Sequence, residues 1–186
     1  MKDIVLLLTK NEDLKNEEVD SFLIPVRNLS TRSKYELSLE EICRLRKTTN
    51  KNIYLLCDRL ISETEIEMVR NKLHEIFRIG DLVFFQDFLF LMEGKDYLKK
   101  LVYYSPTLLV NNQDLSVLLD FGLRNFILSK ENTYQDYRKI LSQVKNINLG
   151  MLCFGYPQIY YSKRKMISSF KKQYNIDFIV LAGFLV

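Results

Sequence analysis

The sequence contains few of the residues from which metal and redox sites are usually built. It has one histidine, His74, and three cysteines, Cys43, Cys57 and Cys153. It has no HExxH motif and no second histidine to complete a zinc site. The cysteines are odd in number and form no CxxC pair, so we expect reduced, buried thiols in a cytosolic protein. We expect His74 to be a solvated histidine on a helix surface.

Long apolar runs and glycine-rich phosphate loops are also missing. The longest apolar stretch, Leu82 to Met92, is interrupted by polar residues and falls well short of the ~20 residues that span a bilayer. The first residues lack a small-residue cleavage site, which argues against a signal peptide. The absence of GxGxxG and GxxxxGK[ST] loops argues against a nucleotide-binding doubly wound sheet. We therefore expect a cytoplasmic protein with no membrane partner.

Length and charge set wide bounds on the fold and the partner. A chain of 186 residues is long enough for one domain with a real core, so we expect a single domain over residues 1–186. The formal net charge of +4 permits an anionic partner but does not require one.

Short apolar runs alternate with amphipathic runs along the chain. We predict strands at Ile4–Leu8, Phe22–Val26, Ile53–Cys57, Leu82–Phe85, Leu101–Tyr104, Phe126–Leu128 and Asn148–Phe154, with an eighth at Ile179–Val186. Pro25 indicates that the second strand is irregular or lies at a sheet edge. The alternation predicts α/β architecture with parallel strands and right-handed crossovers, and favours a TIM-like (β/α) barrel. Such a barrel typically takes ~250 residues, so we expect a short or incomplete one.

Local signals mark several helix ends. Ser38 with Glu41, and Ser62 with Glu65, have the spacing of capping boxes. We predict one helix over residues 88–100, weakened by Gly94. A later helix is expected to stop at Gly122, since glycine readily takes the left-handed conformation found after helices.

Polar residues directly follow several of the predicted strands. In a parallel barrel these positions share the rim where active sites are built. Each of them is also suited to a purely structural role, such as a salt bridge that stiffens a short loop. They are Arg27, Asp58, Arg59, Gln86, Asp87, Ser129, Lys130 and Glu131.

The stretch from Gly150 to Tyr174 carries the densest chemistry. A Gly-Tyr-Pro turn after the seventh strand is followed by an amphipathic run that is basic and aromatic. Bases stack on aromatic rings and phosphates pair with Lys and Arg, so the run is a candidate RNA-contacting surface. One alternative is a barrel helix whose charged face is merely solvated. Another is a site for a small anionic ligand, such as a carboxylate, held by Arg164 and the first free N–H groups of the helix. The candidate contacts are Tyr156, Tyr160, Tyr161, Lys163, Arg164 and Lys165.

This stretch resembles the signature region of the collagenase-like peptidases of family U-thirty-two. The matching elements are Gly155, Tyr161-Ser162, Lys163-Arg164 and Ser168, and the resemblance runs from about Ser21 to Asn175. The segments SLEEI (Ser38–Ile42) and ILSKE (Ile127–Glu131) also look like phrases of that family.

The resemblance implies a TIM-like barrel and several functions. The family is named for peptidase activity, but several members are implicated in hydroxylating RNA bases or quinone precursors with an iron–sulfur cluster held by four cysteines. Gln158 and Lys165 stand where two of those cysteines belong. An amide and an ammonium cannot replace thiolates, so we expect no cluster and no other cofactor. The chain looks like the members that lack these cysteines, some of which act beside a cysteine-bearing relative.

Three hypotheses follow. The first is an accessory subunit that binds tRNA or another RNA during base hydroxylation, together with a cysteine-bearing relative or a second copy. The second is a peptidase with Ser162 as nucleophile, Lys130 as base and Arg164 nearby, although no conventional triad is visible. The third is a barrel with only an interaction role. We also expect the apolar terminus from Phe178 to Val186 to be covered by a partner or a second copy, because an exposed apolar edge promotes aggregation.

Overall fold

A computed structural model describes residues 3–31, 33–105, 108–155 and 172–173. Seven parallel strands form one sheet in the order of the chain, which curls into a half-barrel. The strands are β1 (Val5–Leu7), β2 (Ser21–Pro25), β3 (Asn52–Cys57), β4 (Leu82–Phe85), β5 (Leu101–Tyr104), β6 (Asn125–Ile127) and β7 (Asn148–Gly150). The predicted incomplete, parallel barrel is confirmed.

Five α-helices within the described residues lie in the connections. They are α1 (Leu39–Arg46), α2 (Ile66–Ile79), α3 (Phe88–Glu93), α4 (Asn112–Asp120) and α5 (Tyr134–Gln143). Short 3-10 segments occupy Asn11–Lys15, Glu63–Glu65 and Lys95–Lys100. The predicted single helix over residues 88–100 is wrong in one respect, because Gly94 separates α3 from a 3-10 segment.

The two faces of the sheet bury two layers of apolar side chains. The helix-covered face holds the larger layer, with fully buried Phe22, Leu55, Phe85 and Phe126. The concave face holds a smaller one, which comprises Leu23, Tyr54, Leu56, Phe84 and Val102. Because strand side chains alternate between faces and both faces are buried, these strands read as continuous apolar runs.

The expectation that Pro25 marks an edge strand is wrong, because β2 lies between β1 and β3 and is buried along its whole length. Leu23 O accepts from Leu8 N on the β1 side, whereas Val26 N donates to Leu56 O on the β3 side. Backbone groups alternate in this way, so the nitrogen of Pro25 faces the β1 side. There β1 has already ended at Leu7, and no donor is required.

The seventh strand is shorter than predicted. It pairs with β6 only as far as Gly150, opposite Ile127, and residues 151–155 that follow are exposed. Gly122 behaves as expected: it follows α4 with a φ of 89°, where a side chain would be strained. The predicted eighth strand, Ile179–Val186, lies outside the described residues. No helix within the described ranges is long and apolar enough to cross a membrane.

Candidate functional site at the carboxyl rim

All seven strands point the same way, so their carboxyl ends meet at one edge, which we call the carboxyl rim. The opposite edge, where the strands begin, is the amino rim. The predicted rim residues do follow the ends of β2, β3, β4 and β6. Residues 151–155 also leave from this side, since β7 ends at Gly150.

The loop between β2 and α1 folds across the end of β3. Asp58 holds it there: this carboxylate is only 2% exposed and accepts from Ser30 Oγ at 3.1 Å and from Thr31 N at 2.9 Å. The backbone N–H of Arg59 donates to Leu29 O at 3.0 Å. The sequence does not indicate that this loop contacts the end of β3, because the contact joins residues far apart in the chain.

The rim arginines pair with carboxylates of the helices. Arg27 Nη2 lies 2.8 Å from Glu41 Oε2 at the start of α1. Arg59 pairs with Glu65 just before α2, and not with its neighbour Asp58. Both pairings hold loops against helices, so these guanidinium groups serve a structural purpose in this conformation.

Asp87 and Gln86 differ sharply although they are adjacent. Asp87 caps α3 by accepting from Leu89 N at 2.9 Å, and its other oxygen accepts from Ile61 N at 2.8 Å. Gln86 is half-buried, and its amide has no hydrogen-bond partner among the described residues. Asp87 therefore has structural partners, whereas Gln86 is the predicted rim residue best placed to accept new ones.

The end of β6 contributes a buried hydroxyl and an ammonium group. Ser129 is 1% exposed, and its Oγ accepts from Glu131 N at 3.3 Å. Lys130 Nζ lies 4.0 Å from Glu131 Oε1, at the limit of an ion pair. Glu131 is well exposed, so this pair adds little stability.

A carboxylate accepts a backbone N–H at every strand-to-helix connection from β1 to α5. Each lies in or beside the first turn, where N–H groups lack helical partners. Hydrogen bonds from Ser38 lower the pKa of Glu41, and bonds from Thr133 lower the pKa of Asp136. These helix starts are already occupied by anionic groups, and so are poor sites for an anionic ligand. The carboxylates are Asp13, Glu41, Glu65, Asp87, Asp114 and Asp136.

The thiols and the histidine do not converge. Cys57 is fully buried, which raises the pKa of its thiol well above the ordinary value, whereas Cys43 is half-buried on α1. Cys153 is exposed, so the expectation of a buried thiol is wrong there. His74 is exposed on α2, as predicted, with its ring 6.3 Å from that of Tyr97. Among the described residues, no group of three or more His, Cys, Asp or Glu side chains could hold a metal ion.

The candidates of the basic aromatic run lie outside the described residues. This applies to Tyr156, Tyr160, Tyr161, Ser162, Lys163, Arg164 and Lys165. The structure does describe the residues that lead into the run, and there Phe154 is 98% exposed. Sequence reasoning counted Phe154 as part of a strand, and so missed an aromatic ring that projects into solvent beside the run.

The family model for peptidase family U32 matches residues 8–176, most of the chain. The chain belongs to peptidase family U32. No curated protein matches it. The matched range includes the signature stretch and the six strands from β2 to β7, so the sequence resemblance is confirmed for the family.

Membership of family U32 raises the question whether this chain could hold an iron–sulfur cluster, which depends on the cysteines that it contains. Such a cluster needs four thiolates, and this U32 chain has three cysteines in all. One of them is buried as a thiol and another lies on a helix. The residues present therefore do not fit an iron–sulfur cluster.

Proposed function

We propose that this U32 protein binds RNA as an accessory subunit in base hydroxylation, with tRNA as the first candidate. The observation that carries the proposal is Phe154, whose 98% exposed ring stands just before the basic aromatic run. Exposure of an apolar ring to water is unfavourable, and a base stacked on the ring would remove that surface from water. Lys163, Arg164 and Lys165 would then pair with the phosphates.

The hydroxylation chemistry itself would come from a cysteine-bearing family relative. This division follows from the donor set, since the chain lacks the thiolates for a cluster of its own. The two chains would act together in the cytoplasm, where free thiols such as Cys57 remain reduced. Affinity purification from the native cell should recover bound RNA and the relative.

Direct binding measurements test the RNA proposal. Fluorescence anisotropy with a tRNA transcript should show affinity that falls steeply with salt, because phosphate contacts release counterions. Phe154→Ala should weaken binding by roughly tenfold, since stacking on one ring contributes about 1–3 kcal/mol. Tyr134→Ala is the matched control: Tyr134 is another well-exposed aromatic residue, on α5, and its loss should leave binding unchanged. No RNA affinity at low salt would end the proposal.

A second candidate function is peptide hydrolysis, favoured by the family to which the chain belongs. Ser162 would be the nucleophile and Lys130 the base, because Lys130 follows β6 on the side from which the signature stretch departs. Ser162→Ala should then abolish cleavage of a peptide library. A wild-type protein with no turnover, with or without divalent metal, would exclude this function.

A further inference from the structure

The amino rim carries a continuous row of cationic side chains from the end of α1 to the start of β7. Hydrogen bonds between neighbouring connections show that the parts of this row adjoin. Arg46 of α1 reaches Ile79 O at the end of α2, and Lys100 before β5 reaches Gly80 O. Asn125 of β6 in turn donates to Lys99 O, and Asn148 N of β7 donates to Arg124 O.

Some of these cations neutralise helix ends. Lys100 Nζ donates to Phe77 O at 3.0 Å and to Gly80 O at 3.1 Å, and Arg124 donates to Leu119 O at 3.0 Å. Arg46 holds Ile79 O at 3.1 Å and also pairs with Asp81. The last carbonyls of a helix carry partial negative charge, which would otherwise repel an anion. Here that charge is already covered by cations.

Further cations on the same row make no hydrogen bond to a helix carbonyl within the described residues, although Arg44, Arg78 and Lys99 also lie in last helical turns. They are exposed, and within the described residues their side chains make no hydrogen bond or ion pair. We call them the basic arc: Arg44, Lys47, Arg78, Lys99 and Lys145. The carboxylates along this part of the rim are Asp81, which is engaged with Arg46, and Asp120 at the end of α4. The arc therefore leaves a clear excess of positive charge.

Charge elsewhere on the described surface makes the arc the favoured place for a polyanion. The carboxyl rim is rich in carboxylates that cap helices. The β1–β2 end of the amino rim is acidic too, with Asp3, Glu17, Glu18 and Asp20. Hydrogen bonds to helix carbonyls account for Arg46, Lys100 and Arg124, whereas the side chains of the basic arc form no hydrogen bond or ion pair within the described residues and remain available to an anion.

We propose that the basic arc is a second RNA-binding surface, which contacts the phosphate backbone without reading bases. The assignment to RNA rests on the proposed function; the anionic character of the ligand rests on the arc alone. Exposed Lys and Arg side chains suit phosphate contacts, which position a nucleic acid and carry no sequence information. A folded RNA held at the arc would present a different part of itself to Phe154.

A charge-reversal variant tests the arc. Arg44→Glu, Lys47→Glu, Arg78→Glu and Lys99→Glu are combined, and circular dichroism confirms that the variant folds. The control combines Lys15→Glu, Lys34→Glu, Lys72→Glu and Lys95→Glu, which makes the same change in charge at exposed sites outside the arc. We expect the arc variant to bind tRNA at least tenfold more weakly, with a slope of log K against log salt that is shallower by about 0.9 per lost contact.

The outcomes separate this inference from the proposed function. Equal binding by the arc variant and the control would overturn the arc, whatever the Phe154→Ala variant does. The arc variant could bind RNA more weakly while Phe154→Ala and the double variant Arg164→Ala/Lys165→Ala bind it normally. This result would support the basic arc and refute the proposed RNA contact at Phe154 and the basic aromatic run. Competition by poly-glutamate as effective as by RNA would overturn the RNA assignment, because it would indicate an acidic protein partner.

Discussion

At both rims of the half-barrel, charged side chains pair with backbone groups at helix ends, but the charges are of opposite sign. Helices leave N–H groups unpaired at their starts and carbonyls unpaired at their ends. At the carboxyl rim short carboxylates accept the N–H groups, as Asp136 does from Thr133 N at 2.8 Å. At the amino rim long cations reach the carbonyls, as Lys100 does at Phe77 and Gly80. Helix capping thus places carboxylates along the carboxyl rim and cations along the part of the amino rim between α1 and β7.

The rims also differ in how much charge remains after capping. The carboxylates at the strand-to-helix connections are engaged with backbone groups. The amino rim keeps exposed cations beyond those that hold carbonyls. If both kinds of contact stabilise the fold, substitutions at either rim should lower the free energy of unfolding.

The largest effect is expected at Asp58 on the carboxyl rim. Asp58→Ala removes the acceptor of Ser30 Oγ and Thr31 N in a buried place. Unsatisfied buried donors are costly, so we expect the free energy of unfolding to fall by about 3 kcal/mol in urea titrations. Asp96→Ala, at an exposed site, should change it by less than about 0.5 kcal/mol. A loss below about 1 kcal/mol at Asp58 would mean that the buried contact is not stabilising.

The corresponding carboxylate of the amino rim is Asp81. It accepts two hydrogen bonds from Arg46, at 2.8 and 2.6 Å, and one from Ile53 N at 2.8 Å. Asp81→Asn should lower the free energy of unfolding by about 2 kcal/mol at pH 7, since bonds to charged groups contribute about 1.5–3 kcal/mol. Urea titrations of both proteins measure the difference.

The pH dependence of that difference sharpens the test. Burial alone would raise the pKa of Asp81, but the bonds from Arg46 and Ile53 hold it below its ordinary value. A carboxyl with a lowered folded pKa stabilises fully above its unfolded pKa of about 3.9, and the stabilisation is lost as the pH falls through the folded pKa. The difference between Asp81→Asn and the wild type should therefore shrink toward zero at low pH. A constant difference would contradict the ion-pair explanation.

A smaller effect is expected at the α5 cap. Thr133 Oγ1 accepts from Asp136 N at 3.3 Å, and Asp136 accepts in return from Thr133 N. Thr133→Ala should lower the free energy of unfolding by about 1 kcal/mol. Thr133→Ser keeps a hydroxyl at the cap and should retain most of the stability that the threonine contributes. Thermal unfolding of the three proteins provides the comparison, and equal losses for Ala and Ser would show that the hydroxyl is not the cause.

The smallest effect separates the anchoring cations from the basic arc. Lys100→Gln removes an ammonium group that bonds two carbonyls, and should lower the free energy of unfolding by about 1 kcal/mol. Arg78→Gln, at an exposed arc position, should change it by less than about 0.5 kcal/mol. If Arg78→Gln lowers the free energy of unfolding as much as Lys100→Gln does, the arc cations stabilise helix ends and are not a surface available for binding.

Much of this fold could be predicted because its signals are local. Ser38 and Glu41 form the predicted capping box, and β4 and β5 have the predicted bounds. The position of Pro25 could not be predicted, because it depends on where the neighbouring strand β1 ends. The end of β7 at Gly150 likewise depends on the length of β6.

The candidate site was less predictable than the fold. Asp58 and Asp87 could be predicted as rim residues because each directly follows a strand. Their hydrogen-bond partners lie in the connection before that strand: Ser30 for Asp58 and Ile61 for Asp87. Such contacts leave no periodic signal in the sequence. The basic arc was missed for the same reason, since its members are far apart in the chain and only the parallel topology places them on one rim.

The contact between Asp58 and the β2–α1 loop has a consequence for how the chain folds during synthesis. The loop is made before β3, yet the group that fixes it arrives only with the end of β3. Each new strand would thus lock the connection behind it, and Asp87 repeats the step by holding Ile61 from the preceding connection. This arrangement is compatible with assembly from the first strand onward, in the direction of synthesis, and a chain halted after β2 would lack the acceptor for Ser30 Oγ and Thr31 N.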